Sequence, residues 1–156
     1  MRKTLLVLTI AASAAGPAAA SDKDDVMAVL KHSVAAINKG DVQEAAADCS
    51  EHASITDEFT PFSWQGPTAC ADWAKAIAAL NARMEITDTV LTLGKPWSFE
   101  VTGDSAYAVI PTTLRFKEKG KPRGESGSVW TFALQKSAAG WKITAWTWSR
   151  GRTPPL

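Results

Sequence analysis

The chain has 156 residues with 17 basic and 16 acidic side chains, a balance that excludes the basic excess of a nucleic-acid binder. That length suits one domain with one core. Two histidines and two cysteines, with no paired ligand spacing, argue against a metal site.

The first residues read as an export signal. Met1, Arg2 and Lys3 form a positive start, Thr4 to Ala15 is almost wholly apolar, and Ala18-Ala19-Ala20 offers small residues for cleavage before Ser21. The apolar run ends at Gly16-Pro17, short of the roughly 20 residues that span a bilayer. The expectation is therefore a signal peptide over 1–20, a periplasmic or secreted domain over 21–150 with no membrane contact after cleavage, and a flexible tail over 151–156. Cleavage leaves 136 residues with 15 basic and 16 acidic side chains. Cys49 and Cys70 would then meet an oxidising compartment, which invites a disulfide, although two small buried hydrophobes remain the alternative.

The mature chain opens helical and closes strand-rich, the α+β pattern. Val26, Val29, Leu30, Val34 and Ile37 fall at helical spacing between Asp24 and Asn38, and Lys39-Gly40 stops the helix. Asp41 caps a short second helix to Cys49, with Glu44 three residues on. Ala53 to Asp57 reads as a strand and Thr60 to Pro67 as a loop. Pro67 opens a third helix carrying Cys70, Trp73, Ile77 and Leu80. From Met84 the pattern is strands. They run over 84–93, 97–101, 106–117, 126–135 and 141–149, with a bend at Gly94-Lys95-Pro96 and a flexible hairpin tip over Lys119–Gly124.

Four motifs carry a resemblance. Ala35 to Asp41, with its Asn-x-Gly-Asp junction, Ala53 to Asp57, Gly66 to Trp73, and Gly140 to Ile143 followed by Trp148-Ser149 stand in order over residues 24–150. In that order they resemble the nuclear transport factor 2-like superfamily, in its SnoaL-like and ketosteroid-isomerase-like branch. The resemblance implies a strongly curved, mostly antiparallel sheet wrapped on three N-terminal helices, enclosing a cone-shaped pocket. It also implies a homodimer formed through the outer face of the sheet, and it places Cys49 and Cys70 at inward-facing helical positions. Fold alone does not fix what such a pocket does.

Asp57 falls where isomerase-like and cyclase-like relatives place a pocket acid that moves a proton beside a carbonyl. Its carboxyl is expected to have a raised pKa through desolvation. A solvated strand-end acid beside Glu58 is the alternative. The two positions that supply oxyanion donors in steroid isomerases fall on Ser33 and near Ser128, a poor substitute for strong donors. His32, beside Ser33, either faces the pocket as an acid or base or lies on the polar side of its helix. His52 reads as a loop residue. Lys117, Lys119, Lys121 and Arg123 read as a solvated turn. Trp130 and Phe132 alternate on one strand, as do Trp146 and Trp148 on another. The resemblance implies that both pairs point into the concave side, where with Tyr107 they would line an aromatic pocket for a small apolar molecule, or else simply fill the cone as core. No nucleophile elbow, phosphate loop or dinucleotide fingerprint appears, so no cofactor is implied. Three functions stay open: binding of a small apolar ligand, an isomerase, cyclase or dehydratase using Asp57, and a protein-interaction module with a filled core.

Overall fold

The computed structural model describes residues 16–152. The expected signal peptide lies outside them through residue 15, and residues 153–156 of the expected tail lie outside them as well. Helix α1 covers Gly16–Lys39, starting earlier in the chain than the expected Asp24. Val26, Leu30 and Val34, spaced four apart, are buried and form the stripe that packs on the sheet. Asp41 caps α2 (Val42–Ala47), its carboxylate accepting the Glu44 N–H at 2.9 Å. Helix α3 is Ala69–Met84, so Pro67 precedes the helix instead of forming its first turn.

Seven strands form one sheet. They are β1 (Cys49–Thr56), β2 (Ser63–Gln65), β3 (Ile86–Leu93), β4 (Ser98–Thr102), β5 (Ser105–Glu118), β6 (Lys121–Ser137) and β7 (Gly140–Ser149). The order is β2-β1-β7-β6-β5-β3, and β4 also pairs with β5. All pairings are antiparallel except β1 with β7, which makes the sheet mixed. The bend at Gly94-Lys95-Pro96 divides one edge into β3 and β4, with the Gly94 N–H donating to the Pro111 carbonyl at 2.8 Å. The helices cover the concave face, where Ala106, Ala108 and Ile110 of β5 and Trp130, Phe132 and Leu134 of β6 form the core.

Several boundaries differ from the sequence reading, each for a physical reason. Cys49 opens β1 instead of closing a helix, because α2 stops at Ala47. His52 therefore sits on a strand. β2 lies inside the expected loop. Three residues are too few for a periodic signal, and only Trp64 among them is buried. The expected hairpin tip is mostly ladder: Glu118 pairs with Lys121, Lys117 with Pro122 and Phe116 with Arg123, leaving Lys119 and Gly120 as the turn. The basic cluster is paired at Lys117 with Asp88 and at Arg123 with Glu118. Gly151 and Arg152, read as the start of a loose tail, are held by paired backbone hydrogen bonds between Ser126 and Arg152 at 2.9 and 3.0 Å. A side chain at Gly151 would stand 2.1 Å from the Ser126 carbonyl oxygen, so only glycine lets the chain end lie against β6.

Bulges on β6 and β7 reset which of their residues face inward. Ser126 pairs with Thr113 and Ser128 with Thr112, leaving Gly127 unpaired at a φ of 78° that favours glycine. Because of this extra residue both Glu125 and Ser128 turn into the core, and both are buried. Thr144 is likewise unpaired between Ile143 and Ala145. The parity change lets Trp141 and Ile143 share the inner face with Trp146.

Cys49, at the start of β1, and Cys70, in the first turn of α3, are joined in a disulfide with 6.5 Å between their Cα atoms. Chain entropy gives a bond spanning 21 residues about 3 kcal/mol of stabilisation. Reduction should lower the urea midpoint accordingly, with the intact mass rising by two hydrogens. Equal masses with and without reductant would show that the thiols are free.

Candidate functional site

Between α2, α3 and the concave sheet lies a cavity of about 450 Å³. Its walls are mostly apolar, from Ile77 and Leu80 of α3 and Leu91, Leu114 and Phe116 of the sheet. One end is built from Trp73, Trp130, Trp146 and Trp148, together with Asp57, Glu58, Glu125 and Arg150. The cone is thus open, and Asp57 stands on its wall.

Asp57 follows the last residue of β1 and is only 8% exposed. The indole N–H of Trp73 donates to its Oδ2 at 2.7 Å, and the backbone N–H of Glu58 donates to its Oδ1 at 2.6 Å. Burial pushes the carboxyl above its usual 3.8 and the negative charge of Glu125 adds to the rise, while the two donors oppose it. The folded protein therefore holds this proton more tightly than the unfolded chain does. The stability so gained is present below pH 3.8 and is lost as the pH rises through the native value. Glu58 is also raised by burial, against the nearby Arg150. The Arg150 Nε stands 3.6 Å from carboxylate oxygens of both Glu58 and Glu125. Its side chain is more than half exposed, so these pairs contribute little stability. Ser128 donates to Glu125 from beneath the wall.

The aromatic residues divide. Trp130 and Trp146, 2% and 5% exposed, belong to the core while also lining the cavity, and Trp148 lines it with more of its surface free. Trp146 meets Trp73 and Trp130 edge to face at 4.8 and 5.2 Å, and Trp130 meets Trp148 at 5.6 Å. Phe132 packs beneath Trp130 at 4.6 Å and is core, away from the cavity. Tyr107 is not a pocket residue. It alternates with the buried Ala106 and Ala108, so it faces outward and is 46% exposed. Nor does His32 reach the cavity. Its Nδ1 lies 2.8 Å from Asp48 and its Nε2 3.1 Å from Glu44, on the outer side of α1. The Asp48 carboxylate raises the His32 pKa above 6.5, with a smaller contribution from Glu44. The stability from this group is present below pH 6.5 and lost as pH rises through the native value. Ser33 and Ser128 are buried but do not line the cavity, so neither donates into it.

The sequence profile of the SnoaL-like domain matches residues 26–151. The chain belongs to the SnoaL-like domain family. Solved structures place this SnoaL-like domain in the nuclear transport factor 2-like fold. LinA superposes with a TM-score of 0.74 at 15% identity, covering 88% of this chain and 90% of its own. A hexachlorocyclohexane dehydrochlorinase, LinA-type3 from Novosphingobium barchaimii LL02, gives 0.74 at 14% identity, covering 88% and 91%. A scytalone dehydratase-like protein from Novosphingobium aromaticivorans DSM 12444 gives 0.72 at 10% identity, covering 88% and 89%. At such identities the likeness is one of fold. Comparison with curated protein sequences gave no match.

Trp73, Glu125 and Arg150 of this SnoaL-like domain escaped the sequence reading as site residues. Trp73 read as one apolar position of a helix, and nothing in that spacing shows an indole N–H aimed at Asp57. Glu125 had a signal: a glycine two residues on, inside a strand, marks a bulge that reverses the inward face.

Three substitutions test this geometry. Trp73→Phe should raise the Asp57 pKa further, read by carboxyl-carbon NMR, and should cost about 1.5–3 kcal/mol, the contribution of a hydrogen bond to a charged group. An unchanged Asp57 titration would mean that the indole does not hold the anion. In urea melts Trp146→Ala should leave a void costing about 3–5 kcal/mol, whereas Trp148→Ala, beside existing space, should cost markedly less. Equal losses would mean that the cone is filled at Trp148.

Proposed function

We propose that this protein transfers a proton within a small, largely apolar molecule, as an isomerase or lyase with Asp57 as general base. The observation that carries the reading is a buried carboxylate of raised pKa on the wall of an open, apolar cavity. Asp57 would take a proton from a carbon beside an electron-withdrawing group. The C–H bond breaks, an O–H bond forms on Asp57, and the electron pair enters a new double bond. The proton then returns at another carbon, or a leaving group departs with its own pair. Trp73 and the Glu58 N–H fix the direction of the carboxylate, so little reorganisation precedes transfer. Two fold neighbours, a dehydrochlorinase and a dehydratase-like protein, have names that denote eliminations, which supports the lyase branch. Steroid isomerisation has no such support, because Ser33 and Ser128 stand outside the cavity.

The Cys49–Cys70 bond supports a location in an oxidising compartment, as the expected export signal requires. The outer face of the sheet, with Tyr107 exposed on it, is the surface that a second copy would cover in a homodimer.

A panel of small ketones, alcohols and alkyl halides, each with and without an ammonium substituent, incubated in deuterated water tests the activity. Deuterium uptake or a new unsaturated product, read by mass spectrometry, should appear with wild type. It should fall at least about a hundredfold with Asp57→Asn, far more than affinity for the same molecule does. A variant as active as wild type removes Asp57 from the mechanism.

A further inference from the structure

We infer that the molecule taken by this cavity carries a positive charge, an organic ammonium whose head lies against the tryptophans at the acidic end. The inference rests on the cavity described above and deepens the proposed function by naming a substrate class.

Two independent features point the same way. The first is charge. Among the described residues lining the cavity, Asp41, Asp57, Glu58 and Glu125 are acidic and Arg150 alone is basic. Arg150 approaches Glu58 and Glu125 at 3.6 Å from a largely exposed position. The groups that meet the Asp57 oxygens are two uncharged N–H donors. An anionic ligand would enter a field already negative, in a setting where burial strengthens every Coulomb interaction. A cation would be attracted. It would also oppose the desolvation that raises the Asp57 pKa, holding the carboxylate in the ionised form a base requires.

The second feature is the aromatic wall. Trp73, Trp146, Trp130 and Trp148 meet in succession edge to face, at interplanar angles of 80 to 88°. All four rings line the cavity, but Trp73, Trp130 and Trp146 are nearly buried and Phe132 also packs on Trp130, so Trp148, only partly buried, offers the cation the most ring surface. Indole carries the most negative ring face of the aromatic side chains, and a desolvated cation over it is attracted where a neutral isostere is not. Tryptophans beside carboxylates thus favour an ammonium with apolar substituents. A bare metal ion fits poorly, and among the described residues no group of three or more His, Cys, Asp or Glu side chains is arranged to hold one. The remaining wall, from Ile77 and Leu80 to Leu114 and Phe116, suits the apolar body of the same molecule.

The test compares three probes of matched size by calorimetry and tryptophan fluorescence at neutral pH: phenyltrimethylammonium, its uncharged isostere tert-butylbenzene, and benzenesulfonate. The ammonium should bind at least about tenfold tighter than the isostere, within the range a desolvated cation over indole provides, and the sulfonate more weakly than either. Asp57→Asn should shrink the preference for ammonium over isostere, and Glu58→Gln should do the same where the first variant fails to fold. The inference is overturned if the isostere or the sulfonate binds as tightly as the ammonium. It is equally overturned if the ammonium does not bind, or if both folded variants keep the full preference. Turnover of an uncharged substrate that depends on Asp57 would defeat this inference and leave proton transfer standing. Ammonium binding with a fully active Asp57→Asn protein would do the reverse.

Discussion

Placing a carboxylate among indole rings is costly unless hydrogen-bond donors meet it, and Asp57 is met by two. Much of the surrounding architecture follows from that requirement. The Trp73 indole must come from α3 and the Glu58 N–H from the end of β1, so helix and strand have to hold a fixed relation. Cys49 and Cys70 fasten the same two elements, with Cys70 one helical turn before Trp73. Trp146 packs edge-on to Trp73 from the parallel neighbour β7, where Ile55 registers with it. The aromatic contact and the hydrogen bond meet at Trp73, and the covalent bond holds the same helix one turn earlier, at Cys70. Each restrains a different degree of freedom of α3 against the sheet.

The same tryptophans serve as core and as wall, because a curved sheet presents one face to two environments. Near its closed end the inner face packs on α1 through Val26, Leu30 and Val34. Further along, the helices diverge from the sheet and leave space. Trp130 lies on the boundary between these regions, with Phe132 packed below it and Trp148 facing the opening. The choice between packed core and binding pocket, open when only the alternation of residues is considered, thus has a different answer for each ring.

Much of the fold was legible in the sequence because periodicity reports burial, and burial is what organises sheet and helix. The inward stripe of α1, the cap at Asp41, the bend at Gly94-Lys95-Pro96 and the long meander all carry local signals. The candidate site was legible in part. Asp57 and the alternating tryptophans stood out. Tyr107 was misplaced because a lone aromatic residue on a strand does not reveal which face it occupies, whereas its neighbours Ala106 and Ala108 turn out to be the buried ones. His32 lies with Asp48 and Glu44, a grouping set by the packing of α1, α2 and β1 and not by any spacing in the chain. Glu125 was hidden by a single residue. Alternation counted through Gly127 puts it on the wrong face, and only the bulge returns it to the core.

Asn38 ties the end of α1 to the sheet. Its amide donates to the Leu91 carbonyl at 2.9 Å and accepts the Leu91 N–H at 2.8 Å, imitating a neighbouring strand for one residue. β3 is a terminal strand of the sheet, and an unpaired edge is a template on which another chain can add. By occupying both backbone groups of Leu91, a single side chain interrupts that template near the middle of the edge. The bend at Gly94 breaks it again a few residues later. One amide and one bend therefore shorten the template that this edge offers to another chain, and Asn38 does so without entering the cavity.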